Sequence, residues 1–235
     1  MYIIIVAITF FCTLMGFAAP GAASTVKLSY LPGTIYQIPV VQGSNPTGAN
    51  MAGMEVTVDY TYKGLSESTV LDWQKTGSKS GGVSFSSPGG TISLSENGVT
   101  SSGTWSFKSA KGIQITDISM DSTSGNIVFD IPLKKGNTKG SNTGQSFSLL
   151  SAGTGLKFQV TYSNLVELQS AKTPVGDLYE ALNISVSGST GKSATQFTFR
   201  LGADRADGAS PVPVPSSLML ICSGILSLLG IRRRL

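Results

Sequence analysis

The chain contains no histidine, and cysteine occurs only at Cys12 and Cys222. Both cysteines lie in hydrophobic segments near the ends of the sequence, so the polar middle has none. These absences exclude His-based catalytic triads, His or Cys zinc sites, cysteine nucleophiles and a disulfide within a central domain. Acid–base chemistry near neutral pH would therefore require Asp, Glu, Lys or Tyr side chains with strongly shifted pKa values.

Charged residues are also scarce, at 13% of the 235 residues. Low charge with frequent Gly, Ser and Thr is unfavourable for a helical bundle or coiled coil and favours a β-rich fold. Three of the 17 basic residues are Arg232–Arg234, which leaves 14 basic residues against 13 acidic ones elsewhere. Because no clustered basic face is left, we predict no nucleic-acid partner.

The N-terminal segment is almost wholly apolar as far as Ala19. Gly21 and Ala23 then provide the small residues that signal peptidase recognises at positions −3 and −1. We therefore predict a signal peptide over residues 1–23, with signal peptidase cleaving between Ala23 and Ser24. The start of the chain has no Lys or Arg, so an uncleaved N-terminal anchor is the alternative.

The C-terminal segment, residues 211–235, begins with alternating proline and valine and ends with arginines. Proline fixes φ and has no amide donor, so Pro211–Pro215 is predicted to be extended and non-helical. An apolar helix is predicted over 216–231, and it would be about 24 Å long against a hydrocarbon core of about 30 Å. The arginines at 232–234 would lie on the cytoplasmic side of the membrane.

This combination of a proline motif, a small-residue apolar helix and an Arg stop resembles the PEP-CTERM sorting signal of Gram-negative bacteria. The resemblance covers residues 211–235 only. It implies recognition in the inner membrane by an exosortase, a cysteine-dependent transpeptidase-like enzyme, then cleavage near the proline motif and delivery to the cell surface or extracellular matrix. Val214 replaces the Glu of the family name, as an aliphatic residue also does in Val-Pro-Leu-Pro tails, so the identity of the processing enzyme stays open. A plain stop-transfer helix is the alternative. The residues that carry the resemblance are Val212, Pro213, Pro215, Gly224, Arg232, Arg233 and Arg234.

Between these ends, residues 24–203 alternate between apolar and polar side chains in short runs. The clearest run is 54–62, and 105–108, 182–187 and 197–201 follow the same period of two. Turn signals such as Gly81–Gly82 separate the runs at the spacing typical of all-β domains. We predict one all-β domain, an antiparallel β-sandwich or jelly roll of roughly ten to twelve strands. Residues 134–145 are predicted to form a loop, and 204–210 a polar linker leading out of the domain.

Acidic residues around one predicted turn are the candidates for an ion site. Hard oxygen ligands of this kind bind calcium. However, their spacing does not fit an EF-hand loop, and Asp and Asn favour turns without any metal. We therefore predict no metal and no cofactor, with a calcium site as the alternative. Its candidate ligands are Asp117, Asp121, Asn126 and Asp130.

The remaining alternatives involve carbohydrate. Aromatic rings could stack on a sugar, but most fall on the apolar side of their strands, which favours core packing. We predict a non-enzymatic, exported protein with a structural or adhesive role at the cell surface or in the extracellular matrix, with exopolysaccharide as a candidate partner. A carbohydrate-binding module with the same address is the first alternative. The second is a glycoside hydrolase using two carboxyl groups about 5 to 9.5 Å apart, a pair that the sequence does not locate. The rings in question are Trp73, Trp105, Tyr30, Tyr36, Tyr60, Tyr62, Tyr162 and Tyr179.

Overall fold

The computed structural model describes residues 23–31, 35–43, 46–100, 102–133, 136–141, 143–170, 175–207 and 212–213. Residues 1–22 of the predicted signal peptide, residues 208–210 of the predicted linker, the predicted helix 216–231 and the Arg tail 232–234 lie outside the described residues. Among the residues that are described, no helix is long and apolar enough to cross a membrane.

The described chain is almost entirely β-strand, with two short 3-10 turns, Gly48–Met51 and Thr123–Gly125. The prediction of an all-β fold is thus confirmed. The strands are β1 (Thr25–Tyr30), β2 (Tyr36–Ile38), β3 (Val40–Gln42), β4 (Glu55–Tyr62), β5 (Leu65–Asp72), β6 (Gln74–Lys75), β7 (Ser80–Ser87), β8 (Gly90–Asn97), β9 (Thr104–Ser109), β10 (Ile113–Asp121), β11 (Ile127–Asp130), β12 (Ser148–Ala152), β13 (Lys157–Leu168), β14 (Leu178–Ser187), β15 (Gln196–Arg200), β16 (Ala203–Asp207) and β17 (Val212–Pro213).

Two sheets contain these strands. The larger sheet follows the order β17-β2-β13-β14-β10-β4-β5, and β1, β11, β16 and β3 attach beside this path. The smaller sheet has the order β12-β15-β9-β8-β7-β6. Most neighbours are antiparallel, as predicted, but β1 and β2 pair with β13 in parallel. The sequence does not indicate this parallel edge, because period-two patterns carry no information about strand direction.

The alternation in the sequence decides which face of each strand is buried. On β4, Val56, Val58 and Tyr60 point into the core, while Glu55 is exposed. One continuous apolar core takes side chains from both sheets, so the sheets pack face to face in a sandwich-like arrangement. Its centre is aromatic, with ring stacking between Phe107 and Phe197, Trp105 and Phe199, and Phe147 and Phe199.

The prediction of a turn at Gly81 and Gly82 is wrong, because both glycines lie inside β7. The reason is close packing. A Cβ on Gly81 would overlap the carbonyl oxygen of Gly48 and the indole nitrogen of Trp73, and one on Gly82 would lie 2.6 Å from the carbonyl oxygen of Leu94. The two glycines therefore allow neighbouring groups to approach the strand closely. In the sequence, glycines with this role look the same as glycines of a turn.

The predicted linker is wrong for residues 204–207, which belong to β16. This strand pairs with β11 on one side and β3 on the other. Ala206 is buried in a second apolar cluster, which lies apart from the main core and joins strands from both ends of the domain. The polar sequence of this segment favours a linker, but Asp204 is buried, so the apolar–polar pattern does not reveal the strand. The second cluster consists of Ile38, Val41, Val128, Val166, Leu168, Leu178 and Ala206.

Candidate functional site

Three carboxyl groups lie buried beside the second apolar cluster, and we call them the acid cluster: Asp130, Asp177 and Asp204. Each is at most 1% exposed. Val128 lies opposite Asp204 in the β11–β16 ladder, and the amide of Asp130 donates to the carbonyl of Gly202. Asp130 and Asp204 therefore occupy diagonal positions on one face of the ladder, where side chains can touch.

The loop after β11 covers the acid cluster. Thr138 donates to Asp177 through its amide, at 2.6 Å, and through its hydroxyl. The hydroxyl of Ser141 donates to Asp130 Oδ2 at 3.1 Å. Gly144 packs so closely that an added Cβ would lie 2.5 Å from Asp130 Oδ1. The loop predicted over 134–145 is thus attached to the sheet by hydrogen bonds to two of the three acids.

The electrostatic environment of the acid cluster raises the pKa of Asp130. Burial, followed by the charges of Asp204 and Asp177, raises the pKa of Asp130 far above the usual range for a carboxyl, and only the Ser141 hydrogen bond opposes this effect. Asp130 also interacts with Asp204 through a side-chain hydrogen bond, which requires a proton on one of the two carboxyl groups. Asp177 accepts two hydrogen bonds from Thr138. The burial of Asp130 among other carboxyl groups and its hydrogen bond with Asp204 thus favour a proton shared between these two side chains.

The four calcium candidates are not brought together. Along β14, Asp117 lies opposite Ser185, Asp121 opposite Ala181 and Asp130 opposite Leu178. At about 3.3 Å per residue these positions extend over roughly 23 Å, whereas calcium ligands lie about 2.4 Å from the ion. Asn126 is an exposed turn residue with a φ of 50°. In the described part of the chain, no group of three His, Cys, Asp or Glu residues is arranged to hold a metal.

A fourth buried acid, Glu180, lies beside Asp121 and shares the hydroxyl of Thr123 with it. Thr123 Oγ1 lies 2.6 Å from Glu180 Oε1 and also contacts Asp121 Oδ1. One hydroxyl proton cannot serve two acceptors, so a proton on Glu180 completes the chain of hydrogen bonds. Burial raises the pKa of Glu180 to about 7; the hydrogen bond with Thr123 opposes this effect, and the charge of Asp121 adds to it.

A fifth buried acid, Glu96, lies inside the main core near the end of β8. It is opposite Gly81 on one side and Trp105 on the other. Burial raises the pKa of Glu96 to about 8, an effect that the nearby amide of Gly48 opposes. Neither carboxyl oxygen makes a hydrogen bond of normal geometry with a described residue. A neutral carboxylic acid is the form that such an environment favours.

The outer face of the larger sheet is polar and carries a shallow groove of about 250 Å³. Side-chain hydrogen bonds link neighbouring strands across this face, from Asn183 to Ser119 at 2.8 Å and from Ser185 to Asp117 at 2.6 Å. The groove offers hydroxyl, amide and carboxylate groups to a polar ligand. Its polar lining consists of Glu55, Thr57, Ser119, Asp121, Ser163 and Asn183.

The aromatic rings pack mainly in the core, as predicted. Trp73 and Trp105 are fully buried, 5.2 Å apart between ring centroids, and Tyr60, Tyr162 and Tyr179 are also buried. Tyr30 is exposed at the margin of the sandwich, where it stacks on Tyr162. Tyr36 and Tyr62 are partly buried. The described rings therefore do not include two fully exposed coplanar rings.

Four of the predicted processing residues fall within the described part of the chain. Ala23 and Ser24 immediately precede β1, and Val212 and Pro213 form β17, an extended segment as the prolines predict. Pro215, Gly224 and Arg232–Arg234 lie outside the described residues.

No family model, curated protein or solved structure matches this chain in comparisons with known proteins.

Proposed function

We propose that this chain is an exported protein that is held and sorted through its C-terminal segment and serves a structural or adhesive role at the cell surface or in the extracellular matrix. The observation that carries the proposal is the order of features in residues 211–235: Pro-x-Pro, an apolar run and three arginines. This order resembles a PEP-CTERM signal, so an exosortase is the proposed processing enzyme, acting in the inner membrane.

The position of the first strand supports the proposed signal cleavage. β1 begins two residues after Ala23. The Ser24 hydroxyl donates to the carbonyl of Gly153 at 3.1 Å, and the amide of Thr25 donates to the carbonyl of Leu156 at 3.3 Å. Cleavage after Ala23 would therefore leave a new N-terminus whose first residues are already bonded to the sheet.

The buried acids support a structural role over the glycoside hydrolase alternative. The three carboxyl groups with strongly raised pKa values, Glu96, Asp130 and Glu180, are at most 1% exposed. A general acid must reach the substrate oxygen that it protonates. Asp130 and Glu180 instead hold the loop after β11 and the turn after β10 against the sheet through Ser141 and Thr123. We propose that the two sheets form a sandwich of the jelly-roll type.

The test is the fate of both ends in a host that carries an exosortase. We expect the intact mass of the mature protein to correspond to a chain that begins at Ser24 and lacks the tail beyond the proline motif. Replacing Arg232–Arg234 with Ser should prevent correct processing and membrane retention before processing. The matched control replaces three exposed lysines, Lys75, Lys108 and Lys111, with Ser, which makes the same change of charge. Unchanged fractionation and C-terminal mass in the arginine variant would contradict the proposal.

A carbohydrate-binding function with the same address is the second candidate, and the polar outer face of the larger sheet is the observation that favours it. Hydroxyl, amide and carboxylate groups in a shallow groove can hydrogen-bond to a sugar without an aromatic platform. A glycan array tests this candidate, with Asn183→Ala as the variant that should abolish binding. As the control, Ser66→Ala on exposed β5 should leave binding unchanged.

A further inference from the structure

One margin of the sandwich exposes several large apolar side chains. Tyr30 at the end of β1 contacts Ser146, which precedes β12, so these two strands flank the same open margin between the sheets. Among the described strands, β1 pairs only with β13 and β12 only with β15. Five large apolar side chains are exposed on this margin or on the chain between β1 and β2: Val26 at 38%, Tyr30 at 42%, Leu31 at 51%, Ile35 at 36% and Leu150 at 46%. We call this surface the β1–β12 margin.

Charge distinguishes this margin from the opposite edge of the larger sheet. The sequences of β1, β2, β3, β12 and β17 contain no Asp or Glu, and Lys27 is their one charged residue. Glu167 on the adjoining β13 is partly buried and accepts a hydrogen bond from Gln37. The opposite edge strand, β5, also exposes apolar side chains but carries Glu67 and Asp72.

The C-terminal strand lies at the end of the sheet path on the β1–β12 side. β17 pairs with β2, and β2 joins β13 on the same edge as β1. From Pro213 to Leu218, where the apolar run begins, the chain advances five residues. At no more than about 3.6 Å per residue it can cover about 18 Å, and a headgroup layer takes about 5 to 7 Å of that distance. An anchored tail would thus keep β2 within about one sheet spacing of the lipid headgroups.

We propose that the β1–β12 margin rests on the anionic lipid surface of the membrane that holds the tail. This inference depends on the proposed membrane anchoring. Leu31, Ile35 and Val26 would contact the acyl–headgroup boundary, and the amphipathic ring of Tyr30 suits that depth. Lys27 would face anionic headgroups, and no acid on the margin strands would be repelled by them. The exported domain would consequently lie with one defined side against the bilayer before processing.

Depth-dependent fluorescence quenching tests the proposal in the full chain. The protein, with Cys12 and Cys222 replaced by Ser, is reconstituted into nanodiscs of phosphatidylethanolamine and phosphatidylglycerol. A bimane label is placed at Leu31→Cys or, as the matched control, at Leu65→Cys on β5, which is 67% exposed. Lipids with a doxyl group near the headgroup should quench the label at position 31 at least threefold more than the label at position 65. Equal quenching at both positions in nanodisc-bound protein would overturn the inference.

A second measurement separates the occupant of the margin from the anchoring itself. If the chain does not co-elute with the nanodiscs, the proposed anchoring fails and the inference fails with it. Co-elution with equal quenching at positions 31 and 65 refutes the contact between the β1–β12 margin and the lipid, but not the anchoring. A label shielded in detergent without lipid, together with a doubled particle mass, would show that a second copy of the chain covers the margin. Adding Leu31→Glu to a label at Ile35→Cys should reduce the quenching at least twofold, whereas Leu65→Glu should not change it.

Discussion

Removing the titratable group at position 130 should change how stability depends on pH. Asp130→Asn keeps the shape of the side chain, and its amide can donate to Asp204 in place of the shared proton. The pKa of Asp130 lies at about 8 in the folded chain, against about 4 for a solvated Asp. The folded state therefore holds a proton that the unfolded state releases between these two values. The resulting stability is fully present below pH 4 and is lost as the pH rises to about 8.

The size of the effect follows from proton linkage. One extra proton in the folded state lowers the free energy of unfolding by up to about 1.4 kcal/mol for each unit of rising pH. Between pH 5 and pH 7 the natural chain should therefore lose about 3 kcal/mol more than Asp130→Asn. Glu96 and Glu180 also have raised pKa values. They titrate in both proteins, so their contributions largely cancel in the difference.

Urea unfolding at pH 5, 6, 7 and 8 measures this difference. Trp73 and Trp105 are the only tryptophans and are fully buried, so their fluorescence reports the unfolding transition. Asp72→Asn, on the exposed edge strand β5, is the control and should follow the natural chain at every pH. Parallel plots of unfolding free energy against pH for the natural chain and Asp130→Asn would refute the shared proton between Asp130 and Asp204.

Three further substitutions test other parts of the structure by the same urea assay. Gly81→Ala should destabilise the fold by about 1 to 3 kcal/mol because its Cβ would overlap Gly48 and Trp73; Gly153→Ala, whose Cβ meets ordinary contacts at 3.7 Å, should change stability by less than about 0.5 kcal/mol, and equal effects would disprove the close approach. Thr123→Val should cost about 1 to 3 kcal/mol by leaving the carboxyls of Asp121 and Glu180 without their common hydroxyl, and a neutral result would show that this hydroxyl is dispensable. Phe197→Ala should cost about 3 to 5 kcal/mol, whereas Leu65→Ala at the exposed end of β5 should cost under about 1 kcal/mol.

The alternation of apolar and polar residues in the sequence predicts those strands that have one buried face and one solvent-exposed face. The run 54–62 corresponds to β4, and the runs 182–187 and 197–201 fall largely within β14 and β15. β7 escaped prediction because its glycines serve close packing instead of a turn. β16 could not be predicted because its charged residues favour a linker. Only its pairing with β3 and β11 shows that Asp204 is buried.

The acid cluster could not be predicted, although part of the signal was present. The turn context of Asp130 indicates only a calcium ligand, while Asp177 and Asp204 come from distant parts of the chain and meet Asp130 through strand pairing. Glu96 continues the inward alternation of Ile92 and Leu94, so its burial could have been expected from the period of two. A local pattern shows which face a side chain occupies, but it does not show which other side chains lie there.

The parallel pairing of β1 with β13 also affects how the molecule folds. Thr25 lies opposite Lys157, and Tyr30 opposite Tyr162, so the first strand finds its partner only when most of the chain has been made. Closing such a large loop costs entropy before any contact compensates for it, and topologies dominated by distant contacts fold in milliseconds to seconds. A chain that crosses a membrane N-terminus first would deliver β1 long before β13. We therefore expect completion of the sheet to be a late event, timed by the arrival of the C-terminal third.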